Sequence, residues 1–387
     1  MKLHNNITDA IFRSLHEIFE ENKYADKVIE RVLKSNPKWG ARDRRFIAET
    51  TYEIVRWYRL LREITPHKER EIESIFGTYS EWKKLSPSDT IEERVESVQF
   101  IRKIRESIPD WMDELGVKEL GEETWEKELS FLNQEAKVVL RTNTLKTTRA
   151  ELQKKLHEAE IDTYIPANYN DALVLSKRKN VFTTPVFKEG WFEVQDASSQ
   201  LVAPFMQLKN GMRVIDACAG AGGKTLQIAA LMNNRGKVIA LDTEQWKLDE
   251  LKKRARRAGA SNVETRLIDS SKAIKRMENS ADRLLLDVPC SGLGVLRRNP
   301  DAKWKLSLEF IERMKILQQK ILTEYSVMLK KGGIMVYSTC SILPSENEKQ
   351  VEKFILAQNG AFELVDQKKI MPSEGFDGFF MAAILKK

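Results

Sequence analysis

The spacing of apolar residues changes twice along the chain and divides it into three regions. In residues 1–125, apolar positions recur every three or four residues, as is typical of amphipathic helices. Examples are Ile11, Leu15, Ile18 and Phe19, and further on Phe46, Ile47, Ile54, Val55, Tyr58 and Leu61. Breaks are expected at three prolines, in Asn36-Pro37, Thr65-Pro66 and Ser86-Pro87-Ser88. We therefore predict an all-helical N-terminal domain.

Residues 126–205 mix strand and helix patterns. A strand is predicted over 136–143, and three shorter ones over 163–165, 172–175 and 191–194. A helix is predicted over 148–159, where Thr148 and Glu151 have the spacing of a capping box. This region is expected to form a small α+β unit.

From residue 206 to 387, short apolar runs alternate with helical stretches. Strands are predicted over 212–217, 237–242, 263–268, 282–287, 334–338, 362–365 and 379–385. The longest helix is predicted over 307–330, with Gly332-Gly333 as its C-terminal signal. This alternation predicts an α/β fold with a doubly wound, mainly parallel sheet, and the last two strands could form an antiparallel hairpin at one edge.

Composition narrows the protein class. No run approaches 18 apolar residues, and the first residues lack the apolar stretch of a secretory signal, so a cytoplasmic protein without membrane contact is expected. The three cysteines, Cys218, Cys290 and Cys340, are too widely spaced for a disulfide framework or a zinc knuckle. We expect neither a disulfide nor a metal.

Charge is distributed unevenly along the chain. The net charge is +7, but residues 1–125 carry −3 and the remainder carries +10. Basic clusters lie at Lys177-Arg178-Lys179, at 252–257 and at Arg297-Arg298. Each cluster alone is equally consistent with a solvated helix face, but together they favour a polyanion such as nucleic acid as the partner.

A glycine-rich segment follows the first strand of the α/β region. Residues 216–225 read Asp-Ala-Cys-Ala-Gly-Ala-Gly-Gly-Lys-Thr, which allows the backbone to approach a ligand closely. A P-loop would need glycine at Cys218, and a dinucleotide fingerprint would need its last glycine at Thr225. Both patterns fail by one essential residue, which disfavours an NTPase or a dehydrogenase.

Two acids end the next two strands. Asp242 is placed to bind ribose hydroxyls, and Asp269 could reach an adenine amino group. This pair suits S-adenosylmethionine at least as well as NAD, although either acid alone could be an ordinary cap or turn residue.

Cys290 and Cys340 each follow a strand of the predicted parallel sheet, at the edge where ligands bind. The last histidine is His157, so the α/β region cannot contain a Ser-His-Asp or Cys-His site of its own. Activation of a thiol must come from positive charge, a helix N-terminus or the substrate. Residues 345–348, Ser-Glu-Asn-Glu, are predicted to start a helix with a capping box close to Cys340.

Methylation at carbon 5 of a pyrimidine requires a nucleophile of this kind. A thiol adds at C6, the resulting enamine attacks the sulfonium methyl group, and an acid near N3 or N4 such as Asp287 assists the addition. The residues alone do not distinguish Cys290 from Cys340 as the nucleophile, and either could be an inert buried thiol. Cys218, inside the glycine turn, is the weakest candidate.

Five segments, in order, resemble motifs of the Sun/Fmu family of RNA cytosine-5 methyltransferases, a likeness that runs from about residue 130 to the end. They are 216–225, 287–292 (Asp-Val-Pro-Cys-Ser-Gly), 298–304 (Arg-Asn-Pro-Asp-Ala-Lys-Trp), 338–341 (Ser-Thr-Cys-Ser) and 376–382 (Phe-Asp-Gly-Phe-Phe-Met-Ala). The chain has Gly220-Ala221 where many relatives carry Ala-Pro, a sterically tolerable change.

The resemblance implies a Rossmann-like class I methyltransferase domain with a mainly parallel seven-stranded sheet and an RRM-like extension. Cys340 would be the nucleophile, Cys290 would assist product release, and Asp287 would face both the cytosine and the methyl donor. S-adenosylmethionine would be held by Cys218, Ala219, Gly220, Ala221, Gly222, Gly223 and Lys224, with Asp242 on ribose and Asp269 near adenine. The domains would be 1–125, 126–205 and 206–387, in a monomer.

Residues 40–49, Gly-Ala-Arg-Asp-Arg-Arg-Phe-Ile-Ala-Glu, resemble part of the NusB-like helical domain of the bacterial RsmB-type enzymes. Those enzymes act on small-subunit ribosomal RNA, so 16S rRNA is the expected substrate. The same chemistry on tRNA, or a non-catalytic role in RNA binding or ribosome assembly, are the alternatives. The helical domain could also serve only to dock or stabilise the catalytic part.

Overall fold

The computed structural model describes residues 5–66, 71–85 and 90–387. They form two compact units. The first contains the described residues up to Glu135 together with Leu296–Leu308, and the second contains Ala136–Val295 and Glu309–Lys387. The break predicted at Ser86-Pro87-Ser88 lies outside the described residues. The division of the chain at 125 and 205 stays a prediction, and the segment Leu296–Leu308 is the feature that it does not include.

All regular secondary structure in the described residues of the first unit is helical, as the apolar spacing predicts. Ile11, Leu15, Ile18, Ile47 and Ile54 form its fully buried centre. Its helices are α1 (Asn5–Phe19), α2 (Ala25–Ser35), α3 (Ala41–Arg56), α4 (Tyr58–Ile64), α5 (Ile72–Trp82), α6 (Ile91–Glu96), α7 (Arg102–Arg105), α8 (Asp110–Leu120) and α9 (Glu122–Leu132).

The second unit begins with a small α+β extension. Its four strands form an antiparallel sheet in the order β2-β3-β1-β4. The capping box predicted at the start of α10 is confirmed, because Thr148 Oγ1 accepts from Glu151 N and Thr148 N donates to a Glu151 carboxylate oxygen. The elements are β1 (Val139–Thr142), α10 (Arg149–Glu158), β2 (Thr163–Tyr164), β3 (Ala172–Leu175), α11 (Pro185–Lys188) and β4 (Phe192–Val194).

A seven-stranded sheet in the order β10-β11-β9-β8-β5-β6-β7 makes up the rest of this unit. Its strands are β5 (Arg213–Asp216), β6 (Lys237–Asp242), β7 (Val263–Leu267), β8 (Ala281–Asp287), β9 (Leu329–Thr339), β10 (Phe362–Ile370) and β11 (Phe379–Lys386). The accompanying helices are α12 (Ala197–Gln200), α13 (Val202–Phe205), α14 (Gly223–Leu231), α15 (Gln245–Ala258), α16 (Ser271–Lys275), α17 (Ala302–Lys305, which belongs to the first unit), α18 (Leu308–Tyr325) and α19 (Glu348–Ala357).

The sheet confirms the predicted α/β class. Strands β9, β8, β5, β6 and β7 are parallel, and β10 and β11 form the predicted antiparallel hairpin at one edge. Neighbouring residues alternate between two buried faces: Val214 and Leu285 point to one core, and Ile215 and Leu284 to the other. Burial on both faces explains the continuous apolar runs of the central strands β5, β6, β8 and β9.

The long helix predicted over 307–330 is wrong at its C-terminal end. Helix α18 stops at Tyr325, a short 3₁₀ turn follows, and Leu329 already begins β9. The pairing of β9 with β8 slips between Leu329 and Ile334, and Gly332 within the slip has φ +75°. The two glycines therefore lie in an irregularity near the start of β9 and do not end a helix. Glycine suits both places, because each requires a residue with left-handed backbone angles.

The part of the chain that the structure describes contains neither a candidate membrane-spanning helix nor a candidate metal site. No helix there is both long and apolar enough to cross a membrane. No group of three or more His, Cys, Asp or Glu side chains there could hold a metal ion.

Candidate active site

The structure brings Cys290 and Cys340 together. Strands β8 and β9 are parallel neighbours, with Asp287 opposite Ser338, so both chains leave the sheet at the same edge. Cys290 follows β8 by three residues and Cys340 follows β9 directly, and their sulfur atoms lie 3.4 Å apart. One ligand could therefore contact both thiols.

The two thiols share a hydrogen bond that affects their protonation. This bond, and then burial, raises the pKa of the Cys290 thiol well above its usual range. Cys290 is therefore a protonated thiol at neutral pH and can donate its proton to the sulfur of Cys340. Burial raises the pKa of Cys218 likewise, which leaves it neutral.

A buried glutamate, Glu346, holds the chain next to Cys290. Its carboxylate accepts from Ser291 N at 2.8 Å, from Ser291 Oγ at 2.5 Å and from Gln318 Nε2 at 3.0 Å, and the side chain is inaccessible to solvent. The capping box predicted over 345–348 is wrong, because α19 begins at Glu348 and Glu346 lies in a preceding 3₁₀ turn. Sequence reasoning missed this role because Ser291 and Glu346 are 55 residues apart.

The backbone around Cys340 is fixed on both sides. Asn347 bonds to Thr339 Oγ1 at 2.5 Å and donates to the Ser341 carbonyl at 3.0 Å. Gly294 N donates to the Cys340 carbonyl at 2.9 Å, and a Cβ at Gly294 would lie 2.7 Å from that oxygen. Only glycine permits this approach, which holds the loops after β8 and β9 together.

Asp287 links the thiol region to the glycine loop. Its Oδ2 accepts from Lys224 Nζ at 2.6 Å and its Oδ1 accepts from Ser338 Oγ at 2.9 Å. Lys224 also lies 5.0 Å from the centre of the Phe379 ring. Both carboxylate oxygens are thus oriented, and the ammonium group balances their charge.

The glycine loop connects β5 to α14. Gly222 has φ +89°, and a Cβ there would lie 2.5 Å from Leu251 Cγ, so no other residue fits. Gly220 N donates to Asp242 Oδ2 at 2.9 Å, which ties the loop to the end of β6. Asp269 follows β7 and is exposed, and it accepts a hydrogen bond from Ser270 Oγ.

A small cleft that is partly open to solvent runs along this loop. Burial raises the pKa of Asp216 at its base to about 7. Sequence reasoning missed Gln195 and Ser199, because they precede the first strand of the large sheet. The lining residues are Gln195, Ser199, Asp216, Cys218, Ala219, Gly223, Lys224 and Asp287. The cleft offers glycine backbone, an ammonium group and carboxylates, a set suited to a small polar ligand rather than to a metal ion.

The basic clusters are less available to a polyanion than their sequence indicates. Arg254 and Arg257 both pair with the buried Glu193, and Arg297 is itself buried. These three residues therefore have partners within the protein, and the prediction of a polyanion contact for the clusters as a set stays a prediction. The cluster Lys177-Arg178-Lys179 is exposed throughout.

Comparison with protein families gives two matches. Residues 203–385 match the family described as 16S rRNA methyltransferase RsmB/F. Residues 108–182 match the ferredoxin-like domain of RsmF/B-like methyltransferases. The second match covers most of the extension and begins within the helical unit.

Individual relatives agree with these matches. The chain is 39% identical to a probable ribosomal RNA small subunit methyltransferase B of Synechocystis. The 251 aligned residues cover 64% of the chain and 56% of that protein. The chain is 34% identical to the similarly named Bacillus subtilis protein, covering 73% of the chain and 67% of that protein. The chain thus spans little more than half the length of the first relative.

A solved structure shares the fold. A methyltransferase homologue from Pyrococcus horikoshii is 27% identical and superposes with a TM-score of 0.65, covering 74% of this chain and 98% of that one.

Proposed function

The chain belongs to the RsmB/F family of 16S rRNA methyltransferases, and from this premise we propose that it methylates carbon 5 of a cytosine in 16S ribosomal RNA, with S-adenosylmethionine as the donor. The observation that carries the proposal is the pair of thiols 3.4 Å apart, next to a carboxylate that is bonded to the glycine loop. A pyrimidine-C5 methyltransferase needs a nucleophile, an orienting acid and a donor site within one substrate's reach.

The donor would lie in the cleft along the glycine loop. Residues Cys218–Lys224 would surround it, with Asp242 on its ribose and Asp269 near its adenine. S-adenosylmethionine, when bound, supplies an electrophilic methyl group. The cleft fits this ligand because Ala219 and Gly223 in its lining leave the backbone open to close approach, and because Gln195, Ser199 and Asp287 offer polar groups to a small polar molecule.

Cys340 would form the covalent bond to the base. Its thiolate adds to C6 of the cytosine, and the electron pair moves toward C5, which then acquires the methyl group. Asp287 would orient the base by accepting a hydrogen bond from the 4-amino group, since Lys224 and Ser338 fix both of its oxygens. The backbone bonds on either side of Cys340 hold its sulfur in one place during the attack.

Cys290 would act after methyl transfer. A base removes the C5 proton, the C5–C6 double bond re-forms, and the bond between C6 and the Cys340 sulfur breaks. The sulfur of Cys340 departs as a thiolate, the form in which it attacked, and a hydrogen bond from the Cys290 thiol 3.4 Å away would stabilise its negative charge while the proton stays on Cys290. The raised pKa of Cys290 keeps that proton on its sulfur in the resting enzyme.

Replacing each cysteine tests this division of roles. We expect Cys340→Ala to abolish methylation of 16S rRNA, because no adduct forms, and Cys290→Ala to accumulate a covalent protein–RNA complex that survives denaturing electrophoresis. The double variant should give no complex, because the trapped bond is to Cys340. Bisulfite sequencing of RNA from cells carrying each variant reads the product.

The outcomes separate the alternatives. Full activity of Cys340→Ala, or a complex that persists in the double variant, would refute the proposed nucleophile. Loss of 5-methylcytosine from tRNA rather than 16S rRNA would keep the chemistry and change the substrate. Unchanged methylation of all RNA in cells without the protein would favour a non-catalytic RNA-binding role.

A further inference from the structure

Two arginines outside the glycine loop donate hydrogen bonds to its carbonyl groups. Arg141 on β1 donates from Nη1 to the Gly223 carbonyl at 2.5 Å, and Arg254 on α15 donates from Nη1 to the Ala221 carbonyl at 2.8 Å. These carbonyls lie on either side of Gly222, the residue with the left-handed backbone. The loop is therefore held from both ends of its turn.

The loop needs such external support. Three of the four residues Gly220, Ala221, Gly222 and Gly223 have no side chain, so they contribute few contacts of their own. Glycine also loses more conformational entropy than any other residue when its backbone is ordered. Hydrogen bonds from charged donors to the loop carbonyls offset that cost and define the conformation that a ligand would meet.

Arg141 also connects the loop to the opposite wall of the cleft. Its side chain is buried, and its Nη1 donates to Gln195 Oε1 as well as to Gly223. Gln195 donates in turn to Ser199 Oγ at 3.0 Å, and both residues line the cleft. Burial lowers the pKa of Arg141 to about 10, so the guanidinium stays charged at neutral pH.

Glu193 on β4 is the counter-charge of this network. It lies opposite Arg141 in the sheet and is buried. Its Oε2 accepts from Arg254 Nη2 at 2.8 Å, and its Oε1 accepts from Arg257 Nη2 at 2.5 Å. One carboxylate of the extension thus fixes Arg254 in the orientation that reaches the loop.

We propose that Arg141 and Arg254 are positioning residues of the donor site, so that the extension, through Arg141 and Glu193, sets the affinity of the glycine loop for S-adenosylmethionine. The inference rests on the proposed function and assigns the extension a role in donor binding in addition to any contact with RNA. Neither arginine needs to touch the reacting atoms.

Arg254 and Arg257 provide a matched pair for the test. Both pair with Glu193 from the same helix, but among the described contacts only Arg254 bonds to the loop. We expect Arg254→Met to weaken S-adenosylmethionine binding about tenfold, because a hydrogen bond from a charged donor is lost, and Arg257→Met to weaken it less than about twofold. Titration calorimetry on the full chain measures this, with NAD and ATP as ligands that should not bind.

Further readouts separate positioning from general stability. The midpoint of thermal unfolding without ligand should fall similarly in both variants, because both lose an ion pair to Glu193. The KM for S-adenosylmethionine should rise in Arg254→Met while kcat at saturating donor changes little. Arg141→Lys, which keeps a charge and can reach only one of two acceptors, should also raise this KM.

Equal donor affinity in Arg254→Met and Arg257→Met would overturn the inference and leave the proposed function intact. Absence of S-adenosylmethionine binding by the unmodified protein would instead refute the proposed function. A tenfold loss confined to Arg254→Met supports both.

Discussion

Asp216, at the base of the cleft, shows how burial changes the chemistry of one side chain. It is 1% exposed, and Thr225 Oγ1 donates to its Oδ2 at 2.7 Å. Burial is the main cause that raises its pKa from 3.8 to about 7. Between these two values the folded protein binds more protons at this site than the unfolded chain does. The free energy of unfolding due to Asp216 therefore falls as pH rises from about 4 to about 7.

Asp216→Asn removes this titration and keeps the shape of the protonated carboxyl group. We expect the variant to gain stability relative to the unmodified protein as pH rises from 5 to 8, by an amount on the order of a few kcal/mol. Urea unfolding of both proteins without ligand, at several pH values, measures the difference between their free energies of unfolding. Groups other than Asp216 titrate in both proteins, so their contributions cancel in this difference. Parallel stability profiles would show that Asp216 is ionised throughout.

The segment Leu296–Leu308 illustrates what packing decides at the scale of elements. It follows the Cys290 loop in sequence but belongs to the helical unit. The Nζ of Lys303 donates to the carbonyls of Arg56 and Ser107, at 3.1 and 3.2 Å, and to Asn133 Oδ1 at 2.5 Å. The side chain is 1% exposed, and burial lowers its pKa to about 7.

Neighbouring residues of the segment reinforce this attachment. Trp304 Nε1 donates to the Val55 carbonyl at 2.7 Å, and Asp301 Oδ2 accepts from Ala25 N at 3.0 Å. The segment thus bonds to α2 and α3, and through Lys303 to the residues that follow α7 and α9. It fills a place in the helical unit that would otherwise leave buried polar groups without partners.

Lys303→Met tests the importance of this attachment. The apolar side chain fits the volume but leaves three buried acceptors without a donor, so we expect the free energy of unfolding to fall by about 3 kcal/mol. Lys305→Met is the control, because Lys305 also bonds to the helical unit, through Ile18 O and Asn22 Oδ1, but is only partly buried. Water can replace its bonds, and a loss below about 1 kcal/mol is expected. Denaturant unfolding followed by circular dichroism compares them, and equal losses would contradict the argument.

Local patterns predicted the elements well where no distant residue competed. The capping box at Thr148 and Glu151 forms as expected, because both side chains are exposed and bond only locally. The same pattern at 345–348 does not start a helix, because Ser345 lies inside the 3₁₀ turn Pro344–Glu346 and α19 begins only at Glu348. Distant residues shape this turn, since Ser291 and Gln318 donate to the buried Glu346 carboxylate. Likewise, the positions of Cys290 and Cys340 follow from the order of the strands, whereas Arg141 and Lys303 acquire their partners only through tertiary packing.

The positive charge of residues 126–387 can serve RNA binding only where the basic side chains are accessible to phosphate groups. Residues 126–387 carry a net charge of +10, but Arg254 and Arg257 are bonded to Glu193. The cluster Lys177-Arg178-Lys179, which follows β3, has all three residues exposed and is a candidate for phosphate contact. Such contacts release counterions, so RNA affinity should fall steeply with salt.

Lys177→Gln/Lys179→Gln removes two of these charges. We expect RNA affinity at low salt to fall about tenfold, and the slope of log K against log salt to become shallower by about 1.4, because each of the two lost contacts to a single strand contributes about 0.7. The control is Lys38→Gln/Lys84→Gln, which removes two exposed charges from the helical unit, where the net charge of residues 1–125 is −3. Fluorescence anisotropy with a 16S rRNA fragment, between about 50 and 200 mM salt, reads both quantities. If the two double variants changed the slope equally, the RNA would not be held through the extension, and the excess charge of the second unit would serve general attraction alone.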